Sequence, residues 1–515
     1  MTGIHQPWKE TVKLLKAKKG LFLSAQADQQ KRLLTRLKRR LRRILPRNAL
    51  ILEPDAMKPY ECDGLSAYRR LPLAVVIPSD MDQLRKVVAL CHRMKVPIVV
   101  RGSGTSLSGG AMPHEGGILI SMARFNRILE MDERRCLARV QPGVRNLKIS
   151  EAAASHGLFY APDPSSQIVC SIGGNVAENA GGIHCLKYGL TVHNILALQI
   201  LTINGELMEL STIADEGPDE GLLALMIGSE GMLGIVVEIT VRLRPIPPQR
   251  RVLMGSFAEV EHAAAAVGAL IGAGIIPAGL ELMDGPALRA AEEFVHAGYP
   301  KDAGAILLCE LDGLLEQTES DARRSEQIMN AHYALAVRCA IDDQDQQKLW
   351  AGRKAAFPAV GRISPDYYCM DGTIPRRHLP NVLKRISVLS SQYQQRVVNV
   401  FHAGDGNLHP LILYDASIPG EFERTEALGA EILRLALEVG GSITGEHGVG
   451  VEKIDVMCDQ FGSDELEIFH AIKKVFDPDG LLNPGKAVPT LHRCAEMGAM
   501  HVHHGALPHP DLPRF

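Results

Sequence analysis

Residues 397–414 have the sequence VVNVFHAGDGNLHPLILY, in which two apolar runs flank an Asp-Gly pair. Asp and Gly tolerate the positive φ angles of a tight turn, so the pattern predicts a β-hairpin. With Asp405 and Gly406 as the two central turn residues, His402 lies directly opposite His409. Cross-strand partners share a face at about 4.5–5.5 Å, which lets two imidazoles bind one divalent cation. Two unrelated histidines near a turn are the alternative interpretation.

Residues 440–450, GGSITGEHGVG, supply a carboxylate for the same site. The glycines on both sides of Glu446 and His447 let the backbone come close to a ligand. His402, His409 and Glu446 form a set of two imidazoles and one carboxylate, which is typical of a catalytic metal site with open positions. His447 lies beside this set as a candidate general base.

The overall composition is that of a multidomain globular protein. The 515 residues carry a formal net charge of -3, with 46% hydrophobic and 22% charged residues. No apolar run is as long as the stretch of about 18 residues that a transmembrane helix needs. No secretory signal is visible, and the ten cysteines form no CxxC pair. We therefore expect a cytoplasmic protein with reduced thiols and no iron–sulfur cluster of its own. The near-neutral charge gives no support to nucleic-acid binding.

The first half of the chain contains a glycine-rich segment after a predicted strand. Strands over 73–77 and 96–100 flank a helix over 81–94, and residues 101–110 then have the sequence RGSGTSLSGG. Backbone N–H groups in such a turn can hold a phosphate. Leu107 stands where the third glycine of the dinucleotide motif belongs, and no helix follows, so this is not a Rossmann fingerprint. A phosphate-binding loop of another kind and an ordinary loop are the two interpretations.

Two further segments are unusually rich in glycine and small residues. They are PDPSSQIVCSIGGNVAENAGG at 162–182 and GSEGMLGI at 228–235, and so bare a backbone allows a large planar ligand to approach closely. Together with residues 101–110, they resemble the FAD-binding domain of the vanillyl-alcohol oxidase / p-cresol methylhydroxylase family. The resemblance implies an α+β fold, with a two-subdomain p-cresol methylhydroxylase-type FAD-binding domain and an α/β cap (substrate) domain that has an antiparallel sheet.

The resemblance also implies how FAD is bound. In the family, the first segment holds the pyrophosphate, and the later two line the ribityl chain and the isoalloxazine ring. We expect non-covalent FAD, with His184 as the residue considered for a covalent link. The implied FAD-binding residues are Arg101, Gly102, Ser103, Gly104, Thr105, Ser106, Pro162, Asp163, Ser165, Ser171, Gly173, Gly174, Asn175, Ala177, Gly228, Ile235 and Asn483.

Four segments are expected along the chain. They are an N-terminal helical segment (1–50), the FAD-binding domain (51–248), the cap domain (249–420) and a C-terminal helical segment that returns to the FAD domain (421–515). Nine Lys or Arg residues lie between positions 31 and 47, with leucines at helical spacing, which predicts a basic amphipathic helix. It is either a solvated helix packed on the domain surface or a docking helix for an anionic membrane or an acidic partner.

The family resemblance extends to the site residues. The set of His402, His409 and Glu446 matches the metal ligands of the metal-dependent 2-hydroxyacid members, for which we expect Zn2+, and His447 matches their catalytic histidine. Arg353 falls where D-2-hydroxyacid dehydrogenases carry an arginine that clamps the substrate carboxylate, a task suited to a planar guanidinium. Arg362 is the weaker candidate for that clamp. The neighbouring Thr and Lys of those relatives are replaced by Phe357 and Cys369, which favours a smaller substrate.

The expected activity is the flavin-dependent oxidation of glycolate to glyoxylate, and also of D-lactate to pyruvate, by hydride transfer from C2 to FAD. The resemblance implies partner subunits that carry the electrons to membrane quinone: a second flavin-domain subunit and an iron–sulfur subunit. These would hold the chain at the cytoplasmic face of the inner membrane. The alternatives are a D-lactate or other D-2-hydroxyacid dehydrogenase, a non-catalytic flavin-domain subunit and, more distantly, a zinc hydrolase, although no HExxH motif is present.

Overall fold

The computed structural model describes residues 32–213 and 220–489. Parts of the predicted N-terminal and C-terminal segments, residues 1–31 and 490–515, lie outside the described residues. No helix within the described ranges is both long and apolar enough to cross a bilayer.

The first domain begins with a four-stranded sheet in the order β1-β2-β4-β3. Strands β2, β4 and β3 run parallel and are almost continuously apolar, as strands covered on both faces are. The strands are β1 (Leu50–Ile51), β2 (Ala74–Val76), β3 (Ile98–Arg101) and β4 (Ile118–Ser121). The helices are α1 (residues 32–44), α2 (Pro54–Met57) and α3 (Met81–Met94), the last of which begins where the Asp80 carboxylate accepts the N–H of Gln83.

Helix α1 is the described part of the predicted basic helix. Leu37 and Leu41 are fully buried in the core that also contains the apolar side chains of β3 and β4. The basic side chains lie mostly on the outer face of the helix. The apolar stripe therefore belongs to the core of the first domain, and only the charged face is left for other contacts.

A five-stranded antiparallel sheet, β5-β6-β10-β8-β9, forms the second half of the first domain. Its strands are β5 (Ile128–Asp132), β6 (Leu137–Val140), β8 (Ile195–Leu201), β9 (Leu207–Ser211) and β10 (Ile235–Arg242), with β7 (Leu158–Phe159) and β11 (Arg244–Pro245) paired separately. The helices of this half are α4 (Asn146–Ala153), α5 (Ile172–Glu178), α6 (Cys185–Tyr188), α7 (Thr191–Asn194) and α8 (Glu220–Met226).

The second domain is built on a nine-stranded antiparallel sheet, as the family resemblance predicts. Successive residues of its strand β14 enter different cores: Leu307 packs in one cluster, while Ile306 and Leu308 pack in the other. Because both faces are covered, the strand is apolar at nearly every position. The strands are β12 (Gln249–Phe257), β13 (Gly279–Asp284), β14 (Ala305–Gly313), β15 (Ala334–Cys339), β16 (Asp366–Cys369), β17 (Gly372–Thr373), β18 (Arg396–His402), β19 (Asn407–Leu408) and β20 (Pro410–Tyr414).

Two groups of helices cover this sheet. One group is α9 (Val260–Gly272), α11 (Leu315–Ala331), α14 (Leu379–Tyr393) and α15 (Glu421–Glu438). The other is α10 (Gly285–Val295), α12 (Asp343–Lys354) and α13 (Ala356–Val360). Helix α15 packs on α14 and β20, so it is part of this domain.

The described chain ends beside the first domain. After α16 (Met457–Gln460) and α17 (Ser463–Phe476), the Ile98 N–H donates to the carbonyl of Leu481 and the Asn483 N–H donates to the carbonyl of Ile98, both at 2.7 Å. The segment thus adds to the edge of the first sheet at β3, next to the glycine-rich loop that follows that strand.

Candidate active site

The hairpin that carries the two histidines has a longer turn than its sequence predicts. His402 lies opposite Asn407, so residues 403–406 form a four-residue turn. The prediction that His402 faces His409 directly is therefore wrong by two positions. Since side chains alternate between the faces of a strand, a shift of two leaves His409 on the same face. The two imidazole centroids are 5.1 Å apart.

Hydrogen bonds inside the turn explain the longer connection. The Gly406 N–H donates to the carbonyl of His402 at 3.2 Å, and the Asp405 carboxylate accepts the N–H of Asn407 at 3.1 Å. The second bond is an Asx turn, which Asp side chains form with the backbone two residues on. Asp405 therefore acts as a turn residue, and its burial raises the pKa of its carboxyl to about 6.

His402, His409 and Glu446 form a buried cluster whose potential ligand atoms lie within 4.8 Å of one another. The Glu446 Oε1 atom is 3.3 Å from Nε2 of His402 and 3.2 Å from Nε2 of His409. Its second oxygen, Oε2, is buried and has no hydrogen-bond partner in the described part of the chain. Buried polar atoms are rarely left unpaired. Two imidazoles, a carboxylate and an unpaired buried oxygen fit a divalent cation.

Two charged side chains behind the cluster, Glu281 and Arg353, hold His402 in place. Its Nδ1 atom lies 2.7 Å from Oε1 of Glu281, and the other oxygen of Glu281 is 2.8 Å from Nε and 2.7 Å from Nη2 of Arg353. Burial opposes the charge on His402, but the carboxylates of Glu281 and Glu446 outweigh it and raise the pKa of the ring. A carboxylate behind a metal-binding histidine fixes its orientation.

Asp371 holds the loop that carries Glu446 and His447. Its fully buried carboxylate accepts the N–H groups of Gly445 at 3.1 Å, Glu446 at 3.2 Å and His447 at 2.9 Å, and it pairs with Lys453 at 2.9 Å. The carboxylate also lies within ligand distance of His409 and His447, which makes a second group that could hold a metal. Because its lone pairs are already used by these donors, we assign Asp371 a structural role.

The same loop is also attached to the first domain. Glu230, in the turn between α8 and β10, accepts the N–H of Val449 at 2.7 Å and that of Gly450 at 2.8 Å. Asn483 in turn donates to the carbonyl of Glu230 at 2.6 Å and to that of Gly110 at 3.0 Å. Residues 444–450 are thus bonded to a carboxylate of each domain.

His447 lies beside the cluster of His402, His409 and Glu446. Its ring stacks on that of His409, with centroids 4.8 Å apart and planes 10° from parallel. Burial lowers the pKa of His447 to about 4, and the nearby Asp371 offsets this only in part. Its Nδ1 atom has no hydrogen-bond partner among the described residues. The ring is therefore neutral near pH 7, with a nitrogen available to accept a proton.

A cavity of about 460 Å³ joins this cluster to the glycine-rich loops. His409, Glu446 and His447 line one end of it, together with Lys354 and Phe357. Twelve of the predicted FAD-binding residues line the same cavity: Gly102, Ser103, Gly104, Thr105, Ser106, Ser165, Ser171, Gly173, Gly174, Asn175, Ala177 and Ile235.

The other five predicted FAD-binding residues are not among the residues that line the cavity. Arg101 folds over Gly104, donates to the carbonyl of Cys62 and lies over the ring of Tyr60. Asn483 ties two loops together, as described above. Pro162, Asp163 and Gly228 are not among the lining residues either. These residues support the loops, and the lining residues are the ones placed for direct contact.

His184 is also kept away from the cavity. Its Nδ1 atom is 2.8 Å from the Asp163 carboxylate, and its Nε2 atom is 3.2 Å from that of Glu310 in β14. Both ring nitrogens are therefore occupied by contacts that join the two domains. This arrangement offers no nitrogen for a covalent bond to a flavin.

Glycines fix the shape of the loops that form the cavity wall. A Cβ atom on Gly173 would come within 2.5 Å of the Pro142 Cβ and 2.9 Å of the Pro142 carbonyl oxygen. Gly104 has a φ of +72°, a conformation that L side chains rarely adopt. A side chain at Gly173 would therefore displace its protein neighbours and change the wall that we expect FAD to contact.

Gly173→Ala should weaken FAD binding by about tenfold or more, because overpacking a rigid contact costs about 1–3 kcal/mol and the strain is transmitted to the cavity wall. Fluorescence titration of the apoprotein with FAD measures the change. Gly268→Ala in α9 is the control, since a Cβ there meets nothing within 4 Å. Wild-type affinity in Gly173→Ala would contradict the assignment of this wall to FAD.

The two predicted arginines do not line the cavity. Arg353 has 0% exposure and contacts Glu281, as described above. Arg362 lies on the surface, where it donates to the carbonyl of Glu293 at 3.2 Å and lies over the ring of Phe294. The structure therefore places Arg353 against Glu281, behind His402 of the cluster, and leaves Arg362 outside the site.

Three residues of the site were missed by sequence reasoning: Glu281, Asp371 and Lys354. Glu281 interrupts the otherwise apolar strand GLELMD, and a buried acid in such a strand is a detectable signal of a charged partner. Asp371 has no comparable local signal, because its partners follow about 75 residues later. Lys354 gives no signal of its own, because its neighbour Arg353 matches the family's arginine and was predicted to bind the carboxylate.

Glycine-lined loops that open onto a buried histidine–glutamate cluster are the arrangement of a flavin-dependent oxidoreductase. A family model described as "FAD binding domain" matches residues 72–211, and one described as "FAD linked oxidases, C-terminal domain" matches residues 246–487. The chain belongs to this family of FAD-linked oxidases, as its relatives also show.

Three relatives indicate the subgroup. "Glycolate oxidase subunit GlcD" of Escherichia coli (strain K12) is 62% identical over 475 residues, covering 92% of this chain and 95% of that protein. The protein of the same name from Bacillus subtilis (strain 168) is 39% identical, covering 83% and 91%. The "D-lactate dehydrogenase" of Anaerostipes hadrus is 32% identical, covering 87% and 96%. These relatives give no support to the zinc hydrolase alternative.

Solved structures confirm the predicted fold class. The crystal structure of p-cresol methylhydroxylase with substrate bound matches with a TM-score of 0.76, covering 89% of this chain and 98% of that one, at 17% sequence identity. At that identity the likeness concerns the fold alone.

Proposed function

We propose that this chain oxidises glycolate to glyoxylate, with FAD as the non-covalently bound cofactor and a divalent metal, for which Zn2+ is our choice, at the cluster of His402, His409 and Glu446. The observation that carries the proposal is the continuous cavity between the glycine-rich loops and this cluster. The named relatives support the substrate, since two of them are glycolate oxidase subunits.

Bound FAD supplies the acceptor for the hydride that leaves C2 of the acid, and a bound divalent cation supplies Lewis acidity that lowers the pKa of the hydroxyl group. His447 takes the hydroxyl proton on Nδ1, which has no hydrogen-bond partner among the described residues and belongs to a ring whose pKa is lowered by burial. A base within hydrogen-bond reach of the proton contributes about 10²–10⁴-fold to the rate.

The remaining residues position these groups. Asp371 fixes the backbone of Glu446 and His447, and Glu281 with Arg353 fixes the ring of His402. Phe357 lines the cavity beside His409, with ring centroids 6.4 Å apart, and limits the size of the group on C2. Hydrogen, as in glycolate, and methyl, as in D-lactate, are the groups we expect it to admit.

The second candidate function is oxidation of D-lactate, which the Anaerostipes hadrus relative favours. It uses the same residues and differs only in the group that faces Phe357. Relative kcat/KM values for the two acids decide between them.

The reduced flavin has to pass its electrons to another protein. Two relatives are named as subunits, which supports a complex. We propose the partners implied by family resemblance, a second flavin-domain subunit and an iron–sulfur subunit, at the cytoplasmic face of the inner membrane. The solvent-facing basic side of α1 suits contact with an acidic partner or an anionic membrane surface.

The proposed function is tested anaerobically with the purified holoenzyme. We expect the yellow protein to bleach on addition of glycolate, because the flavin is reduced, and to stop bleaching after EDTA has removed the metal. Restoring Zn2+ to the treated protein is the control for irreversible damage. A protein that binds FAD but is bleached by neither glycolate nor D-lactate would contradict the proposal.

A further inference from the structure

A 2-hydroxy acid brings a carboxylate into the cavity, and the described structure offers few cations to meet it. Arg353 is fully buried, and its Nε and Nη2 atoms already contact Glu281. Arg362 is bonded on the surface, away from the cavity. A carboxylate taken out of water needs a charged or hydrogen-bonded partner, and beside the cation proposed at the cluster a basic side chain that lines the cavity can supply one.

Lys354 is the one lysine or arginine among the described residues that line the cavity. It is the last residue of α12, and no ion pair or hydrogen bond to its ammonium is found within the described ranges. Successive residues of a helix point about 100° apart, which explains why Arg353 is buried against Glu281 while Lys354 is exposed and borders the cavity. Phe357, His409 and His447 line the same cavity.

We propose that the Lys354 ammonium binds the carboxylate of the substrate. The inference rests on the proposed function and deepens it, because it names the side chain that meets the carboxylate of the 2-hydroxy acid. The charge fits this role: Lys354 is the one basic side chain among the described residues that line the cavity, whose acidic lining residues are Glu178, Glu230 and Glu446. An ammonium among these residues gives the substrate carboxylate a charged partner and leaves C2 free to face the flavin loops.

The alternative role for Lys354 is purely structural. A lysine at the end of a helix interacts favourably with the last carbonyl groups, and this role requires no contact with substrate. It predicts a small loss of thermal stability on substitution and no change in the affinity for carboxylates. The two roles are therefore separated by a binding measurement.

The experiment compares Lys354→Gln, Lys354→Arg and wild type as FAD-loaded, metal-replete proteins. Oxalate is the probe, since it carries the carboxylate but has no hydrogen on C2 to give up. Binding is measured by isothermal titration calorimetry. Lys348→Gln is the matched control, because Lys348 is exposed on the same helix and does not line the cavity.

Loss of one charge-assisted hydrogen bond corresponds to an affinity loss of about 10–100-fold. We expect that loss for oxalate in Lys354→Gln, near-wild-type binding in Lys354→Arg and no change in Lys348→Gln. KM for glycolate should rise in Lys354→Gln more than kcat falls. Wild-type oxalate affinity in Lys354→Gln would overturn the proposal and return the role to Arg353, whose Nη1 atom has no hydrogen-bond partner in the described chain.

The outcomes also separate this inference from the proposed function. If the wild-type flavin is not bleached by glycolate or D-lactate, the proposed function fails, whereas Lys354-dependent oxalate binding would still support a carboxylate site. If the wild-type protein bleaches with glycolate but Lys354→Gln behaves like Lys348→Gln, the inference alone fails. Absence of oxalate binding to the wild-type protein would also overturn it.

Discussion

His447→Ala is expected to slow reduction of the flavin by glycolate by about 10²–10⁴-fold, the usual contribution of a positioned base. The substitution removes the ring whose Nδ1 atom has no hydrogen-bond partner in the part of the chain that the structure describes. The backbone N–H of residue 447 still donates to Asp371, so the loop should keep its shape. Anaerobic stopped-flow absorbance at saturating glycolate measures the rate directly.

Two checks accompany the His447→Ala measurement. The visible spectrum and the metal content should match those of the wild type, because His447 is not one of the three cluster ligands. His156→Ala is the control, since this histidine is exposed and pairs with Glu133, away from the cavity. A His447→Ala protein that reduces its flavin at the wild-type rate would remove His447 from the mechanism.

Glu446→Gln is expected to abolish metal binding and to slow flavin reduction by about 10³-fold. A neutral amide is a poor replacement for the carboxylate that lies between the Nε2 atoms of His402 and His409. Lewis-acid stabilisation amounts to several kcal/mol, and about 1.4 kcal/mol corresponds to a factor of ten in rate. Elemental analysis of the purified protein and stopped-flow absorbance measure the two effects.

The size of the substituted side chain is nearly unchanged in Glu446→Gln, so FAD should stay bound. Glu438→Gln provides the comparison, because Glu438 is exposed at the end of α15 and pairs with Arg385. A full complement of metal in Glu446→Gln would show that the ion lies elsewhere, with the group of Asp371, His409 and His447 as the next candidate.

The sequence predicts which face of a strand a side chain occupies better than it predicts which residues pair across the hairpin. The alternating pattern placed His402 and His409 on one face of the hairpin, and the structure agrees. The turn length was wrong because the Asp405 carboxylate bonds the N–H of Asn407, a local choice that an Asp-Gly pair does not reveal. Helix α3 was predicted with correct ends because its signals are local: Asp80 caps it, and apolar residues recur at helical spacing.

The roles of charged residues were harder to predict. Arg353 and Lys354 are adjacent in the sequence, and only the position of Glu281, 72 residues earlier in the chain, decides which of them faces inward. Similarly, Arg101 and Asn483 belong to the flavin-loop region but bond to backbone carbonyls. Such outcomes depend on tertiary neighbours, which a single sequence does not display.

The attachment of residues 444–450 to Asp371 in one domain and Glu230 in the other has a consequence for recombination between relatives. Hydride transfer needs donor and acceptor within about 3–3.5 Å, so the alignment of the two halves depends on this short segment. A chimera that joins the first domain of one relative to the second domain of another inherits Asp371 with the segment but takes Glu230 from the other parent. Such hybrids should stay active only where the parent of the first domain has a glutamate at the position of Glu230. The presence of this glutamate is therefore a criterion for choosing the two parents of a chimera.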